Sequence, residues 1–251
     1  MSSDEVRKKT MGPVKQTLRS LETQLKNLHP GIPGFGLAYG SKNVAMAVRL
    51  LQDKHVIALP TDTVYGLAGL AQSNESVKKL YEIKQRDPCK PLAICVGEIV
   101  DVKYWGIVDS LPDGLLEALF PGPVTLVLKR TPKLNPLFNP NVQNVGIRIP
   151  DAKFIRDIAK RLREPLALTS ANESNKPSTI HPEEFSALWS HLGGVFYPDE
   201  RVTGNGLARA GSTVVDLSQP GGYSIIRKGS AEFETVQVLK SFQLVDCDDK
   251  H

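Results

Sequence analysis

Short apolar runs alternate with amphipathic stretches along most of the chain from about residue 43. The clearest helical stripe consists of Val44, Val48, Leu50 and Leu51, and the apolar run at 55–59 that follows it predicts a buried strand. Further strands are predicted at PLAICVG, VTLVLK, VGIRIP, PLALTSAN, STVVDL and SIIRKG. Several of these runs are too apolar to face water on either side, so they belong inside a covered sheet. The alternation therefore predicts an α/β layer fold.

No linker and no internal repeat divides this region, which predicts one domain over residues 41–240. Residues 1–40 are basic and contain few large apolar side chains, so we expect an N-terminal extension. A solvated helical tail is favoured over a mitochondrial targeting segment, because Asp4, Glu5 and Glu22 are acids that such segments avoid. Residues 241–251 are predicted to be a polar tail.

Composition excludes several classes of protein. The three cysteines form no C-x-x-C pair and the five histidines are scattered, so neither a disulfide framework nor a structural metal site is expected. No apolar run approaches the ~18 residues of a membrane span, which predicts a soluble protein. We expect it in the cytoplasm, with a mitochondrial pool as the open alternative. The net charge of +4 is compatible with phosphate-bearing ligands or RNA and establishes neither.

The loop after the predicted strand at 55–59 is dense in small polar side chains. The segment ALPTDTVYGLAG leaves that strand into Thr61, Asp62 and Thr63, and it returns to apolar residues through Tyr65 and Leu67. A connecting loop does not need this density, so we interpret it as a ligand loop. Tyr65 and Leu67 are expected to anchor it in the core.

A helix that begins after Ser73 carries Val77, Leu80 and Tyr81 on one face, and the next position on that face is Lys84. Lys84 is therefore expected to point inward or along a cleft wall, where an ammonium needs an anionic partner. Arg86 follows, just before the chain turns at Asp87-Pro88. The alternative is that both cations merely offset the helix dipole, and this segment alone does not decide between the two.

In VGIRIP, strand alternation puts Val145, Ile147 and Ile149 on one face, with Gly146 and Arg148 on the other. Gly146 would let another group approach closely, and a guanidinium at Arg148 suits a planar carboxylate or phosphate. The alternative is an arginine on a solvated sheet face.

Hydroxyl and amide side chains also gather where three other strands begin or end, and the carboxyl ends of strands in open α/β sheets are where ligands bind. The hydroxyl and amide residues are Thr169, Ser170, Asn172, Ser174, Asn175, Ser178 and Thr179 at one strand and Ser212 and Thr213 at the next, and the third strand ends in the cation Arg227. Ordinary turn and cap chemistry is the alternative. A phosphate loop of the G-x-x-x-x-G-K-[ST] type and a nucleophile elbow are both absent from the sequence, and GFGLAYG does not follow a predicted strand as a dinucleotide fingerprint must.

Eight segments, taken together and in order, resemble the YrdC-like family of threonylcarbamoyl-AMP synthases in its short single-domain eukaryotic form. They are PTDTVYGL, KQR, KPLAI, PGPVTLVL, GIRIP, TSAN, STVVD and IIRKG. The resemblance implies an α/β fold with a twisted mixed sheet and flanking helices around a large basic cavity.

The resemblance also implies an activity. L-threonine, bicarbonate and ATP would give threonylcarbamoyl-AMP and pyrophosphate, with Mg²⁺ bound through the ATP phosphates. The product would supply the threonylcarbamoyladenosine modification of tRNA, which implies a downstream tRNA threonylcarbamoyl-transferase complex as a partner. Two alternatives remain at this point: an RNA-binding module of the same fold, and a carbamoyl-transfer domain of related fold.

Residue by residue, the resemblance implies roles at nine positions. L-threonine would contact Thr61, Arg148 and Ser212, whereas the nucleotide would contact Lys84, Arg86, Ser170, Asn172, Ser178 and Arg227. Lys84 and Arg86 would also be the catalytic pair, because they would hold the phosphates. Asp62 is expected to be the least essential residue of its loop, and Thr63 is a weaker threonine contact.

The sequence departs from the family at three places. Cys95 stands where some members have a histidine that contacts threonine, and VFYPDE at 195–200 replaces the usual Ile-Asp-Gly-Gly. Lys228 replaces the proline of the final R-P-G. These departures concern one threonine contact and the geometry of the lid over the site, while the charged positions match.

Overall fold

The computed structural model describes residues 34–85, 90–173, 176–198 and 209–248. Across these residues, eleven strands form one mixed sheet, with α-helices and one 3₁₀ helix around it. The strands are β1 (Gly34–Leu37), β2 (Ile57–Leu59), β3 (Gly66–Leu70), β4 (Ala93–Cys95), β5 (Val124–Lys129), β6 (Asn144–Arg148), β7 (Leu166–Ser170), β8 (Gly194–Tyr197), β9 (Thr213–Asp216), β10 (Gly222–Arg227) and β11 (Val245–Asp246). The α-helices are α1 (Ser41–Gln52), α2 (Asn74–Lys84), α3 (Ile99–Trp105), α4 (Leu115–Leu119), α5 (Lys153–Leu162) and α6 (Glu232–Ser241), and the 3₁₀ helix is Pro182–His191.

The order of strands across the sheet is β1-β8-β2-β3-β7-β4-β6-β5-β9-β10-β11. The sheet is mixed: β3 pairs antiparallel with β7, for example, whereas β4 pairs parallel with β6. Neighbours in the sheet are mostly distant in the chain, so loops that are far apart in sequence are brought to the same region.

The predicted α/β layer fold is confirmed, and so is a strand in each of the segments predicted to contain one. The strands β1, β3, β8 and β11 were not predicted. GFGL forms β1 itself, which pairs with β8, although it lies within the predicted N-terminal extension. Similarly, β11 lies within the predicted polar tail and pairs with β10. The sheet therefore extends beyond residues 41–240 at both ends.

Side-chain alternation gives the sheet two faces. One face, with Leu67, Ile94 and Ile147, packs into a large core that includes side chains of α2, α3, α4 and α6. The other face, with Ala68 and Leu168, packs against α1 and α5 in a second core. In the part of the chain that the structure describes, no helix has the length and apolar character to cross a membrane.

A polar clamp fixes the chain just before β4. The Asn139 side chain donates to the carbonyl of Leu92 (2.8 Å) and accepts from its N–H (2.9 Å), and it also accepts from the Tyr81 hydroxyl of α2 (3.2 Å). Arg130 in turn holds the loop that carries Asn139, because it donates to the carbonyls of Phe138 (2.6 Å), Asn135 (2.6 Å) and Leu134 (3.1 Å). The clamp thus joins the end of α2 to the start of β4.

We expect Arg130→Ala to lower the free energy of unfolding by about 2–3 kcal/mol, because it leaves several loop carbonyls without their charged donor. The neighbouring Lys129 is exposed, so Lys129→Ala should change stability by no more than about 0.5 kcal/mol. Urea denaturation of both variants checks the prediction. Equal stabilities for the two variants would contradict it.

Candidate active site

Arg148 and Ser170 lie on the same face of the sheet. Gly146 is two residues before Arg148, and the register pairs it with Ala93, which pairs with Leu168, two residues before Ser170. Residues paired across strands, and residues two apart along a strand, share a face of the sheet. The face predicted for Gly146 and Arg148 in β6 therefore continues across β4 to Ser170 in β7.

The register also separates these two residues along the strands. Cys95 pairs with Arg148 on one side and with Leu166 on the other, so Ser170 lies four residues further along β7. At ~3.3 Å per residue this offset is on the order of 13 Å. Ala93 and Gly146 lie between these two positions on the same face, and both are only partly buried.

Thr125 and Ser212 join this face from β5 and from the residue before β9. Thr125 pairs with Val214, which is two residues after Ser212, and the hydroxyls of Thr125 and Ser212 are 2.8 Å apart. Arg227 donates from Nη2 to the Ser212 carbonyl (2.7 Å) and to its Oγ (3.1 Å). Ser212 and Arg227, which the resemblance assigned to different ligands, thus contact each other.

Thr125 was missed by the sequence analysis, although it lies in the PGPVTLVL segment. The Thr125 side chain also explains why position 146 is a glycine. A Cβ at this position would lie 3.1 Å from the Thr125 methyl and 3.4 Å from the Ala93 Cβ. The close approach that Gly146 permits is therefore by neighbouring side chains of the sheet.

The ligand loop at 60–65 is closed by its own hydrogen bonds. The Thr61 hydroxyl donates to the Val64 carbonyl (2.7 Å) and accepts from the Thr63 N–H (3.2 Å). Tyr65 and Leu67 are buried as predicted, and the Tyr65 hydroxyl donates to the Phe196 carbonyl (3.1 Å). Burial raises the pKa of Tyr65, which keeps this hydroxyl protonated as a donor. The loop is therefore a fixed part of the fold.

Asp62 forms an ion pair with Arg148. Its Oδ1 lies 2.5 Å from Arg148 Nη2, and the two side chains are only 9% and 8% exposed. The other carboxylate oxygen of Asp62 accepts from the Asp151 N–H (2.9 Å), and Thr63 Oγ1 lies 3.4–3.5 Å from the two terminal nitrogens of Arg148. Asp62, expected to be the least essential residue of its loop, is thus the ion-pair partner of the expected threonine-binding arginine.

Lys84 is 2% exposed, which confirms that it points inward. Its ammonium donates to the Ser170 carbonyl (2.7 Å), to Asn172 Oδ1 (3.0 Å) and to the Asn172 carbonyl. Helix α2 begins at the predicted Ser73 cap and ends at Lys84, where Gln85 adopts a left-handed conformation. The interpretation of Lys84 as an exposed counter-charge to the helix dipole is therefore wrong. Arg86 lies outside the described residues.

The S-A-N loop borders a cavity of about 350 Å³. Its lining includes Asn172, Thr179 and Arg209. Thr179 donates to the Ala171 carbonyl (2.8 Å), and Arg209 donates to the Ser178 carbonyl (3.1 Å) and pairs with Glu184. Ser178 is therefore at the rim of this cavity through its backbone.

Cys95 lies next to Arg148 in the sheet but is fully buried in the second core. Burial raises the pKa of the thiol to about 12. A substrate contact at this position, as the histidine makes in some family members, is therefore not available to the Cys95 side chain. In the VFYPDE segment, Val195 and Phe196 are buried in β8, while Asp199 and Glu200 lie outside the described residues.

We expect Cys95 to react with maleimide only on unfolding, because a buried, protonated thiol is a poor nucleophile. In the double variant Cys89→Ser/Cys247→Ser, labelling of the native protein should be at least ~100-fold slower than in concentrated urea. The control keeps the half-buried Cys247 in a Cys89→Ser/Cys95→Ala background, where native labelling should be much faster. Equal native rates for the two thiols would refute this prediction.

The fold and the site define the class of this protein: a mixed α/β protein that buries Arg148 beside hydroxyl side chains on one sheet face and buries Lys84 against the loop that follows β7. The Sua5_yciO_yrdC family model, described as "Telomere recombination", matches residues 49–229. Threonylcarbamoyl-AMP synthase of Bos taurus is 46% identical over 202 residues, which are 79% of this chain and 72% of the bovine protein. The protein of the same name from Homo sapiens is 46% identical over 197 residues, 77% of this chain and 70% of the human one.

A crystal structure of P. abyssi Sua5 complexed with L-threonine superposes with a TM-score of 0.71 at 23% identity, covering 86% of this chain and 62% of that chain. At this identity the likeness shows the fold alone. Together with the family match and the close relatives, it leaves no ambiguity about membership: the chain belongs to the Sua5/YciO/YrdC family.

Proposed function

We propose that this protein is an L-threonylcarbamoyladenylate synthase, which makes threonylcarbamoyl-AMP and pyrophosphate from L-threonine, bicarbonate and ATP. The bovine and human relatives, which are 46% identical to this chain over most of their own length, are both named for this activity. The observation that carries the proposal is the pair of buried cations at two loops of one sheet: Arg148 at the loop 60–65 and Lys84 at the S-A-N loop. The alternative of an RNA-binding module without synthesis is not favoured by these relatives.

The chemistry requires positioning more than covalent catalysis. The threonine amine reacts with bicarbonate to give a carbamate and water, and a carbamate oxygen then attacks the α-phosphorus of ATP and expels pyrophosphate. Both reactants are anionic, so the site must hold them together against their repulsion. No side chain has to form a bond to either substrate, which agrees with a site made of cations, hydroxyls and amides.

The threonine end is proposed at Thr61 and Arg148. A guanidinium that is fixed by neighbours can bind a carboxylate through parallel hydrogen bonds. Thr61 uses its hydroxyl proton inside the loop, so its contribution to threonine binding would be as an acceptor. The P. abyssi protein crystallised with L-threonine supports an amino-acid site in this fold.

The nucleotide end is proposed at Lys84, Arg86, Ser170, Asn172 and Ser178. The contacts of Lys84 with Ser170 and Asn172 support a preformed S-A-N loop, next to the cavity at Asn172 and Thr179. Ser212 is proposed to contact L-threonine and Arg227 the nucleotide, and the contact between these two residues (3.1 Å) would bring the two ligands together where the carbamate meets the α-phosphate.

Mg²⁺ is proposed to enter with ATP. Within the described ranges no three His, Cys, Asp or Glu side chains form a group that could hold a metal ion. Mg²⁺ usually keeps several waters and binds through substrate phosphates, and this is the arrangement we propose. The ion would neutralise phosphate charge, while Lys84 and Arg86 would orient the phosphates. We further propose that the product passes to a separate tRNA threonylcarbamoyl-transferase complex in the cytoplasm.

One assay tests the proposed function. The protein is incubated with ATP, bicarbonate and labelled L-threonine, and threonylcarbamoyl-AMP and pyrophosphate are measured with and without threonine. Threonine-dependent formation of both products supports the proposal. RNA binding at physiological salt without either product would favour the binding-module alternative instead.

We expect Lys84→Ala and Arg86→Ala each to reduce adenylate formation by at least ~100-fold, the ~2.7 kcal/mol typical of a preorganised charge contact. Lys78→Ala is the control on the same helix, because its side chain is 79% exposed and pairs only loosely with Glu82 at 3.6 Å. The thermal unfolding temperature of each variant shows whether a lower rate comes from a less stable fold or from the loss of the charge that acts on the substrate. Near-normal turnover in both variants would remove the phosphate role.

We expect Arg148→Lys to raise the KM for threonine while leaving the KM for ATP unchanged, because a point charge does not reproduce the planar fork of donors. Steady-state kinetics with each substrate varied in turn measures the two constants. Unchanged saturation by threonine would count against a carboxylate site at Arg148.

A further inference from the structure

We propose that Asp62 is a positioning residue that sets the affinity for L-threonine through Arg148; this inference rests on the proposed function. Asp62 lies 2.5 Å from Arg148 Nη2, in an ion pair whose side chains are both less than a tenth exposed. The arginine expected to receive the substrate carboxylate therefore already holds a carboxylate of its own chain.

Asp62 is held from two sides, so it is not a partner that the substrate simply displaces. Its Oδ1 accepts from Arg148 and its Oδ2 accepts from the Asp151 N–H at 2.9 Å. The loop around it is closed by the Thr61 and Thr63 hydrogen bonds. A carboxylate fixed at both oxygens can define the orientation of the guanidinium plane.

Arg148 keeps donor capacity for a second carboxylate. A guanidinium has five N–H donors, and Asp62 engages Nη2. The contacts of Nη1 and Nη2 with Thr63 Oγ1 are long, at 3.5 and 3.4 Å, and the buried Nε has no hydrogen-bond partner among the residues that the structure describes. An unsatisfied buried donor is costly, and a bound threonine carboxylate on the free edge would relieve that cost.

The geometry requires an acid at position 62. Each carboxylate oxygen accepts one bond, whereas an asparagine amide can accept at only one atom and would turn its NH₂ toward Arg148 or the Asp151 N–H. Without Asp62 the buried guanidinium loses its counter-charge and its fixed orientation, and a misoriented fork binds a planar carboxylate poorly. A competing idea treats Asp62 as an internal competitor of threonine, and it predicts the opposite sign: tighter threonine binding when the acid is removed.

The test compares Asp62→Asn, Asp62→Glu and the control Asp53→Asn, which removes an acid from an exposed ion pair with Arg49. We expect Asp62→Asn to raise the threonine KM at least ~10-fold, equivalent to ~1.4 kcal/mol. Its kcat should stay within ~3-fold and its KM for ATP should not change, because the affected contact is made equally before and during the reaction. Asp62→Glu should restore the threonine KM to within ~3-fold, and Asp53→Asn should match the unmodified protein.

A double-mutant cycle links the effect to Arg148. In the Arg148→Lys background, Asp62→Asn should change the threonine KM by less than ~2-fold, because the residue it acts through is already altered. Calorimetric titration with L-threonine alone gives a second readout that does not need turnover.

An unchanged or lowered threonine KM in Asp62→Asn would overturn the inference. So would parallel losses of ATP affinity and thermal stability that glutamate does not rescue, since these would assign a structural role only. If the unmodified protein forms no threonine-dependent adenylate, the proposed function fails. The threonine titration of the same variants then still decides the role of Asp62.

Discussion

Side-chain alternation along the central strands is the constraint on which the site depends. Every second residue of β7, β4 and β6 faces the same side, so a face that begins with apolar residues beneath α1 and α5 must continue as the face that carries Ser170 and Arg148. The opposite face is apolar throughout the large core. One sheet therefore serves as core on one side, and on the other it serves as core and carries the residues proposed to bind the substrates.

Two cations are buried at loops that follow strands of this sheet, and the chain stabilises them differently. Lys84 is surrounded by the carbonyl and amide oxygens of Ser170 and Asn172, which are dipoles of the loop it would help to present. Arg148 is paired with a full negative charge on Asp62. Burying a charge is costly unless it is paired or hydrogen-bonded, so both arrangements link loop position to the stability of the fold. The positions of both loops are for this reason fixed by contacts of the fold itself.

The sequence was sufficient for elements whose signal is local. VTLVLK forms a strand over all its residues because its residues favour strands and one of its faces is wholly buried, and the alternation in VGIRIP correctly separated Arg148 from Ile147. The inward direction of Lys84 followed from helical periodicity. GFGL and GLAGL were missed as strands because glycine-rich runs carry weak strand preference. GFGL pairs only with the distant β8, and GLAGL pairs with the distant β7 as well as with the neighbouring β2. The contacts of Asp62 with Arg148 and of Thr125 with Ser212 join residues 86 and 87 positions apart, so they depend on a register that composition and spacing do not encode.

The pairing of β1 with β8 has a consequence for the design of shortened forms of this protein. Cleavage or truncation at residue 40 would remove all four buried residues of β1 and leave β8 with an open hydrogen-bonding edge. Such edges recruit other strands, so the shortened chain would be prone to self-association. Any experiment that removes the basic N-terminal segment to follow its effect in cells should therefore cut before Gly34, so that a change in distribution reports on the segment and not on aggregation.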